Sequence, residues 1–258
     1  MDEKILKEQN KVKRHGFSVL FVHWTVALST FLLIVSGFGQ MPMYKRYKIA
    51  DLPGLGWTAD YSITILIHYL AAAVLILAVT YHVVYHVMRK EYDILPRKGD
   101  LKESYLIIKA MLLNREEPAG DKYLAEQRLA YAFIGMNLLI IIVTGVIKVF
   151  KNLPGIDYTA VFLIWVNDLH TLASMLLVFG ILGHLAAFLS KANRALLPGM
   201  FTGKIDLEYA KHRHRIWYER MDRKSIRSTS THRQKPTVPL DSTSVRQHAA
   251  GSEKTNSF

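Results

Sequence analysis

Histidines stand deep in stretches that otherwise read as membrane hydrocarbon: His23, His68, His82, His170 and His184, with His86 near the end of one of them. The stretch DLHTLASMLLVFGILGHL, residues 168 to 185, shows the pattern, with His170 and His184 where lipid favours leucine. A separation of fourteen residues on an α-helix is a rise of ~21 Å and a rotation ~40° short of four turns, so the two lie on one face at two depths. His68 and His82 repeat that spacing, and His23 stands in FVHWTVAL. Imidazoles inside a membrane can bridge helices, relay protons or bind a metal.

Geometry narrows these options. One zinc ion with ~2 Å bonds cannot collect ligands ~21 Å apart on one helix. A proton relay would ordinarily add buried carboxylates, and the apolar runs offer only Asp168, near an outer end. His68 and His170 share the outer depth, and His23, His82 and His184 share the inner one. At least two histidines on different helices at each of two depths is the arrangement that would ligate two stacked b-type haems. At the inner depth, periodicity favours His82, which repeats the fourteen-residue spacing, as the partner of His184, with His23 as the competing candidate. Gly37, Gly145, Gly180 and Gly183 would let a flat ring approach the backbone, or simply let helices pack closely. The absence of cysteine excludes cysteine-bound iron–sulfur clusters, covalent CxxCH haem and disulfides.

The elements that must hold these residues are apolar runs at about 17–41, 61–88, 129–147 and 158–190, each long enough to span ~30 Å of hydrocarbon. They predict an all-α integral membrane four-helix bundle. The expected organisation is a cytoplasmic segment 1–16, the bundle over 17–200, a basic cytoplasmic helix over 201–224 and a disordered Ser/Thr-rich tail over 225–258. The 89–128 loop holds an amphipathic pattern around LKESYLIIKAMLL, read as a surface helix. The first run is too long for a signal peptide, and SGFGQM lacks a small-x-small cleavage pattern, so that helix is expected to stay. Seventeen Lys and Arg flank the spans on the side of the termini against five on the other, which predicts both termini in the cytoplasm. The net charge of +12 follows mostly from that asymmetry, and no nucleic-acid partner is expected. No internal repeat is evident beyond the shared histidine spacing.

With VHW early in the first run, a histidine opening the second, VTGVI at 143–147, the H-x13-H pair of the fourth run and AKHRHRIWYE at 210–219, the chain resembles the gamma, or cytochrome b, subunits of membrane-bound formate dehydrogenases. It is similar also to the b-type cytochromes of Ni/Fe hydrogenases and thiosulfate reductases. The resemblance implies an inner-membrane cytochrome with two haem b groups, taking electrons from an outer iron–sulfur (beta) subunit fed by a catalytic dehydrogenase subunit and reducing menaquinone near the cytoplasmic face. It implies His68 and His170 as outer ligands and His23 with His184 as inner ligands, because the position of His82 is not a ligand in the family. The quinone is expected at KYLAEQR (122–128), where Leu124 and Glu126 depart from a family pattern close to KYNAGQ, with Glu126 and His86 as the candidate contacts. The iron–sulfur subunit is expected over the 42–60 and 148–157 loops, near Asn167 and Asp168. Two further readings stay open: a cytochrome b that oxidises quinol to supply a periplasmic reductase, and a non-redox proton or metal transporter.

Overall fold

The computed structural model describes residues 3–113, 115 and 117–233. Four long helices dominate it: α1 (Phe17–Gln40), α2 (Tyr61–Arg89), α4 (Ala125–Phe150) and α5 (Ala160–Ala186), with the shorter amphipathic α3 (Asp100–Leu112) between the second and third. All four are long and apolar enough to cross a membrane. Their outward faces carry Leu28, Phe31, Leu66, Leu77 and Phe179, the last 70% exposed. So much large apolar surface is stable only against lipid. The starts are set by side chains: Asp60 Oδ1 accepts from the Ser62 and Ile63 amides at 2.8 and 3.2 Å, and Thr159 Oγ1 accepts from the Phe162 amide.

The helices pair as α1 with α2 and α4 with α5, and Leu75, Leu138 and Leu177 from three helices meet in the bundle core. Buried Ser29, Ser36, Thr64 and Thr144 each return their hydroxyl to a carbonyl one turn back in their own helix, so no polar group faces lipid unpaired at these positions.

The end of the bundle where the chain enters is capped by a motif that the apolar periodicity does not reveal. Strands β1 (Lys4–Leu6), β2 (Lys11–Lys13) and β3 (Lys204–Asp206) form a small antiparallel sheet, with Val12 opposite Ile205. After it come α6 (Leu207–Arg213) and α7 (Arg215–Arg233). Val12, Ile205, Leu207, Ala210, Trp217 and Met221 form the core of this cap. Gly203 closes it: its carbonyl accepts from the Arg14 and His15 amides at 2.7 and 3.1 Å. With φ at +72° and any Cβ 2.5 Å from the His15 carbonyl oxygen, only glycine fits there.

Several boundaries move. Within the expected segment 1–16, Lys4–Leu6 and Lys11–Lys13 form strands, because Val12 and Ile205 bury each other across the sheet. The basic stretch 201–224 is a strand and two helices broken at His214, not one helix. The α4 helix begins at Ala125 rather than 129, because Arg128 does not end it: its guanidinium is buried and grips both carboxylate oxygens of Asp100 at 2.7 and 2.8 Å. The fourth span is α-helical to Ala186 and then tightens to a 3-10 turn over Ala187–Leu189.

The chain divides at Met221 into two compact units. The second opens with the last turns of α7, Asp222–Arg233, which lie partly in the tail expected to be disordered. A helix already nucleated extends at little cost through a polar sequence. Residues 234–258 of that expected tail lie outside the described residues.

Candidate haem and quinone sites

At the end of the bundle opposite the cap, two histidines are held in the same way by two different helices. Ser36 on α1 lies 2.9 Å from His68 Nδ1 on α2, and Thr144 on α4 lies 2.8 Å from His170 Nδ1 on α5. The next residue is glycine in both cases. A Cβ built on Gly37 would touch His68 Cε1 at 3.5 Å, and one on Gly145 would touch His170 Cε1 at 3.5 Å. Both rings therefore lie against the backbone of the neighbouring helix with Nδ1 occupied and Nε2 turned elsewhere. They lie within electrostatic range of each other and of Lys148, whose Nζ donates to Asn167 Oδ1 at 3.0 Å.

This arrangement exposes a repeat that the histidine spacing alone only hinted at. Ile34-Val35-Ser36-Gly37 in α1 matches Ile142-Val143-Thr144-Gly145 in α4, and each tetrapeptide serves the outer histidine of the helix that follows it. Gly37 and Gly145 were already candidates in the sequence; the hydroxyls of Ser36 and Thr144 beside them were missed. The signal that could have found them is the recurrence of I-V-[ST]-G at matching depth in two apolar runs.

Toward the capped end, His23 of α1 and His184 of α5 approach with ring centroids 6.4 Å apart. Two imidazoles on opposite sides of one metal with bonds of about 2 Å would put their ring centres about 6 Å apart, so this pair has the separation a shared iron requires. His82 is engaged differently: its Nε2 lies 2.9 Å from the Tyr131 hydroxyl on α4, too close for an iron between them. Tyr131 precedes Thr144 by the same 13 residues that separate His23 from Ser36. Tyrosine thus stands in the second helix pair where histidine stands in the first. Of the other glycines in the spans, Gly180 accommodates the Phe133 ring, which would lie 2.9 Å from an added Cβ, whereas Gly183, beside His184, faces open space.

The expected quinone residues do not share one pocket. Glu126, in the first turn of α4, has both carboxylate oxygens buried without a hydrogen-bond donor among the described residues. Arg213 Nη2 approaches one of them at 4.0 Å, the outer limit of an ion pair. Leu124 is 1% exposed and packs with Ile107 and Ala125, so the position that departs from the family's polar residue has become core. His86 stacks edge-on against His82 with centroids 4.5 Å apart and opens on a cleft with Glu3, Glu91, Asp93, Lys122 and Tyr123, which Glu126 does not line.

A polar network holds the cap against the bundle. His214, fully buried, donates from Nδ1 to the Asp121 carbonyl at 2.7 Å and accepts at Nε2 from Arg14 at 3.3 Å. Burial first, and the Arg14 charge second, push its pKa down to about 3. Trp217 donates to Glu3, which also pairs with Lys122. The His and Trp of HRIWYE are thus structural residues that tie the N-terminal strands to the bundle.

An apolar four-helix bundle of membrane-spanning length with histidines at two depths is the architecture of a membrane-bound b-type cytochrome. The chain belongs to the prokaryotic cytochrome b561 family, whose sequence model matches residues 14–203. It is a multi-pass protein of the inner membrane, and the family is one of haem b carriers. It is 23% identical over 233 residues to the cytochrome b556(Fdn) subunit of the nitrate-inducible formate dehydrogenase of Escherichia coli K12, across 87% of this chain and 98% of that protein. The proteins of the same name from Escherichia coli O157:H7 and Shigella flexneri match to the same extent.

Proposed function

We propose that this protein is the cytochrome b subunit of a respiratory complex of the formate dehydrogenase type, carrying electrons from an extracytoplasmic iron–sulfur subunit across two haem b groups to menaquinone. The observation that carries this reading is the approach of His23 and His184 to 6.4 Å, with His68 and His170 each held by a hydroxyl of the neighbouring helix at the other end of the bundle. The similarity to a formate dehydrogenase subunit supports the partner class. Haem b, when bound, supplies a reversible one-electron couple that no side chain of this protein offers.

In this reading the protein's own residues divide the work. His23, His68, His170 and His184 would hold the two haem groups through their ring nitrogens, and the apolar helices would exclude water from both positions. The cap, with the charge asymmetry, faces the cytoplasm, and the loops at 42–60 and 148–157 face the iron–sulfur partner. Reduction of a quinone takes two electrons and two protons. Glu126 is the residue suited to bond the quinone and carry a proton, since its buried oxygens have no hydrogen-bond donor among the described residues. His86 lies at a cleft through which cytoplasmic protons can enter.

The test is haem content per chain, with the reduced spectrum, in single variants. His170→Ala and His23→Ala should each lose one haem and keep the other, and His82→Ala should keep both. Loss of the inner haem from the His82 variant but not from the His23 variant would overturn the assignment, and a colourless wild-type protein would overturn the redox reading.

A further inference from the structure

We propose that Ser36 and Thr144 are positioning residues that lock His68 and His170 in the tautomer whose Nε2 lone pair points to the outer haem iron. The inference rests on the reading of those two histidines as ligands. It is carried by a count of protons. Ser36 Oγ lies 2.7 Å from the Leu32 carbonyl oxygen and 2.9 Å from His68 Nδ1. Thr144 Oγ1 lies 2.6 Å from the Ile140 carbonyl oxygen and 2.8 Å from His170 Nδ1.

A hydroxyl has one proton to give, and a carbonyl has none. If the hydroxyl donated to Nδ1, two oxygens would face each other at 2.6–2.7 Å with no hydrogen between them. Both contacts are satisfied only when the hydroxyl donates to the carbonyl and accepts from Nδ1–H. Each imidazole then carries its proton on Nδ1, and Nε2 is left as a bare lone pair. Ser36 is wholly buried and Thr144 is 4% exposed, so water is kept from both contacts; at His170 the Ile141 carbonyl is a second acceptor, and a carbonyl can meet that ring only through the same Nδ1–H. The same solution appears on two helix pairs with different residues, serine in one and threonine in the other, so the shared element is the hydroxyl and its backbone acceptor. Hydrogen bonds of this kind fix the ring of a metal-binding histidine and raise its basicity. A more basic ligand favours the oxidised iron, so loss of the acceptor should raise the potential of the outer haem.

The variants are Ser36→Ala and Thr144→Val, with Ser36→Thr and Thr144→Ser as conservative partners. The readouts are haem content, the midpoint potential of each haem by redox titration, and the low-field electron paramagnetic resonance signals. The Ala and Val variants should move the outer haem alone, by about the 59 mV that corresponds to tenfold in a one-electron equilibrium, and should displace its resonance. The conservative pair should restore both. If Ser36→Ala loses the outer haem entirely while Ser36→Thr keeps it at its original potential, the proposal also stands. Unchanged potential and resonance in Ser36→Ala and Thr144→Val, or equal shifts in the conservative pair, would overturn it. Retention of both haems in His68→Ala and His170→Ala would instead refute the ligand reading on which it rests.

Discussion

Acid should loosen the cap of this protein through one residue. Unfolded, His214 takes up a proton near its ordinary value of 6.5; folded, it resists protonation down to about 3. It is fully buried, Nδ1 already donates to Asp121, and Nε2 faces a guanidinium that would repel a second positive charge. Between these two pH values the unfolded form therefore holds a proton that the folded form lacks. Stability contributed by the neutral imidazole is complete above about pH 6.5 and falls as pH is lowered, by about 1.4 kcal/mol per pH unit. At pH 5 the loss is about 2 kcal/mol. Hydrogen exchange of the amides in β2, β3 and residues 210–217, corrected for intrinsic rates, reads the opening of the cap directly. The expected result is a protection free energy that declines with acid in the wild type and is flatter in His214→Asn, which can still donate a hydrogen bond but does not titrate. An acid slope of the same size in both proteins would refute the reasoning and assign the effect to carboxylates.

Three other outcomes follow from the geometry. Arg128→Met should destabilise the protein by about 3–5 kcal/mol, because Asp100, held below the ordinary carboxylate range first by its hydrogen bond from Arg128, would be left buried and unpaired. The double variant with Asp100→Leu should recover most of that loss in thermal melts of the purified protein. Glu126→Gln should slow quinone reduction by the intact complex while both haems remain reducible, and unchanged quinone kinetics would leave Glu126 as a helix-start residue. Gly203→Ala should cost about 1–3 kcal/mol or more, seen as faster exchange of β3, since its φ of +72° and the His15 carbonyl 2.5 Å away leave no place for a methyl group.

The four spans, the amphipathic α3 and the two depths of histidine were all legible in the sequence for one reason: hydrocarbon tolerates few residue types. Apolar runs of spanning length and the histidines inside them stand out against such a background, and the fixed rise of a helix converts spacing directly into depth. Composition also excluded cysteine chemistry outright. What the sequence left open was every choice made between helices. Whether His184 faces His23 or His82 depends on which helices pack together and how each is rotated, and spacing along one helix carries no such information. The hydroxyls of Ser36 and Thr144 read locally as ordinary small residues of a membrane helix. Only packing against His68 and His170 reveals that each accepts a ring proton. The cap was hidden for a similar reason: three-residue strands at 4–6, 11–13 and 204–206 have no detectable period, and Val12 and Ile205 form a pair only when nearly two hundred residues of intervening chain bring them together. Arg128 marked a false helix boundary because an arginine in sequence is a charge, whereas in the fold, gripped by Asp100, it is half of a buried pair.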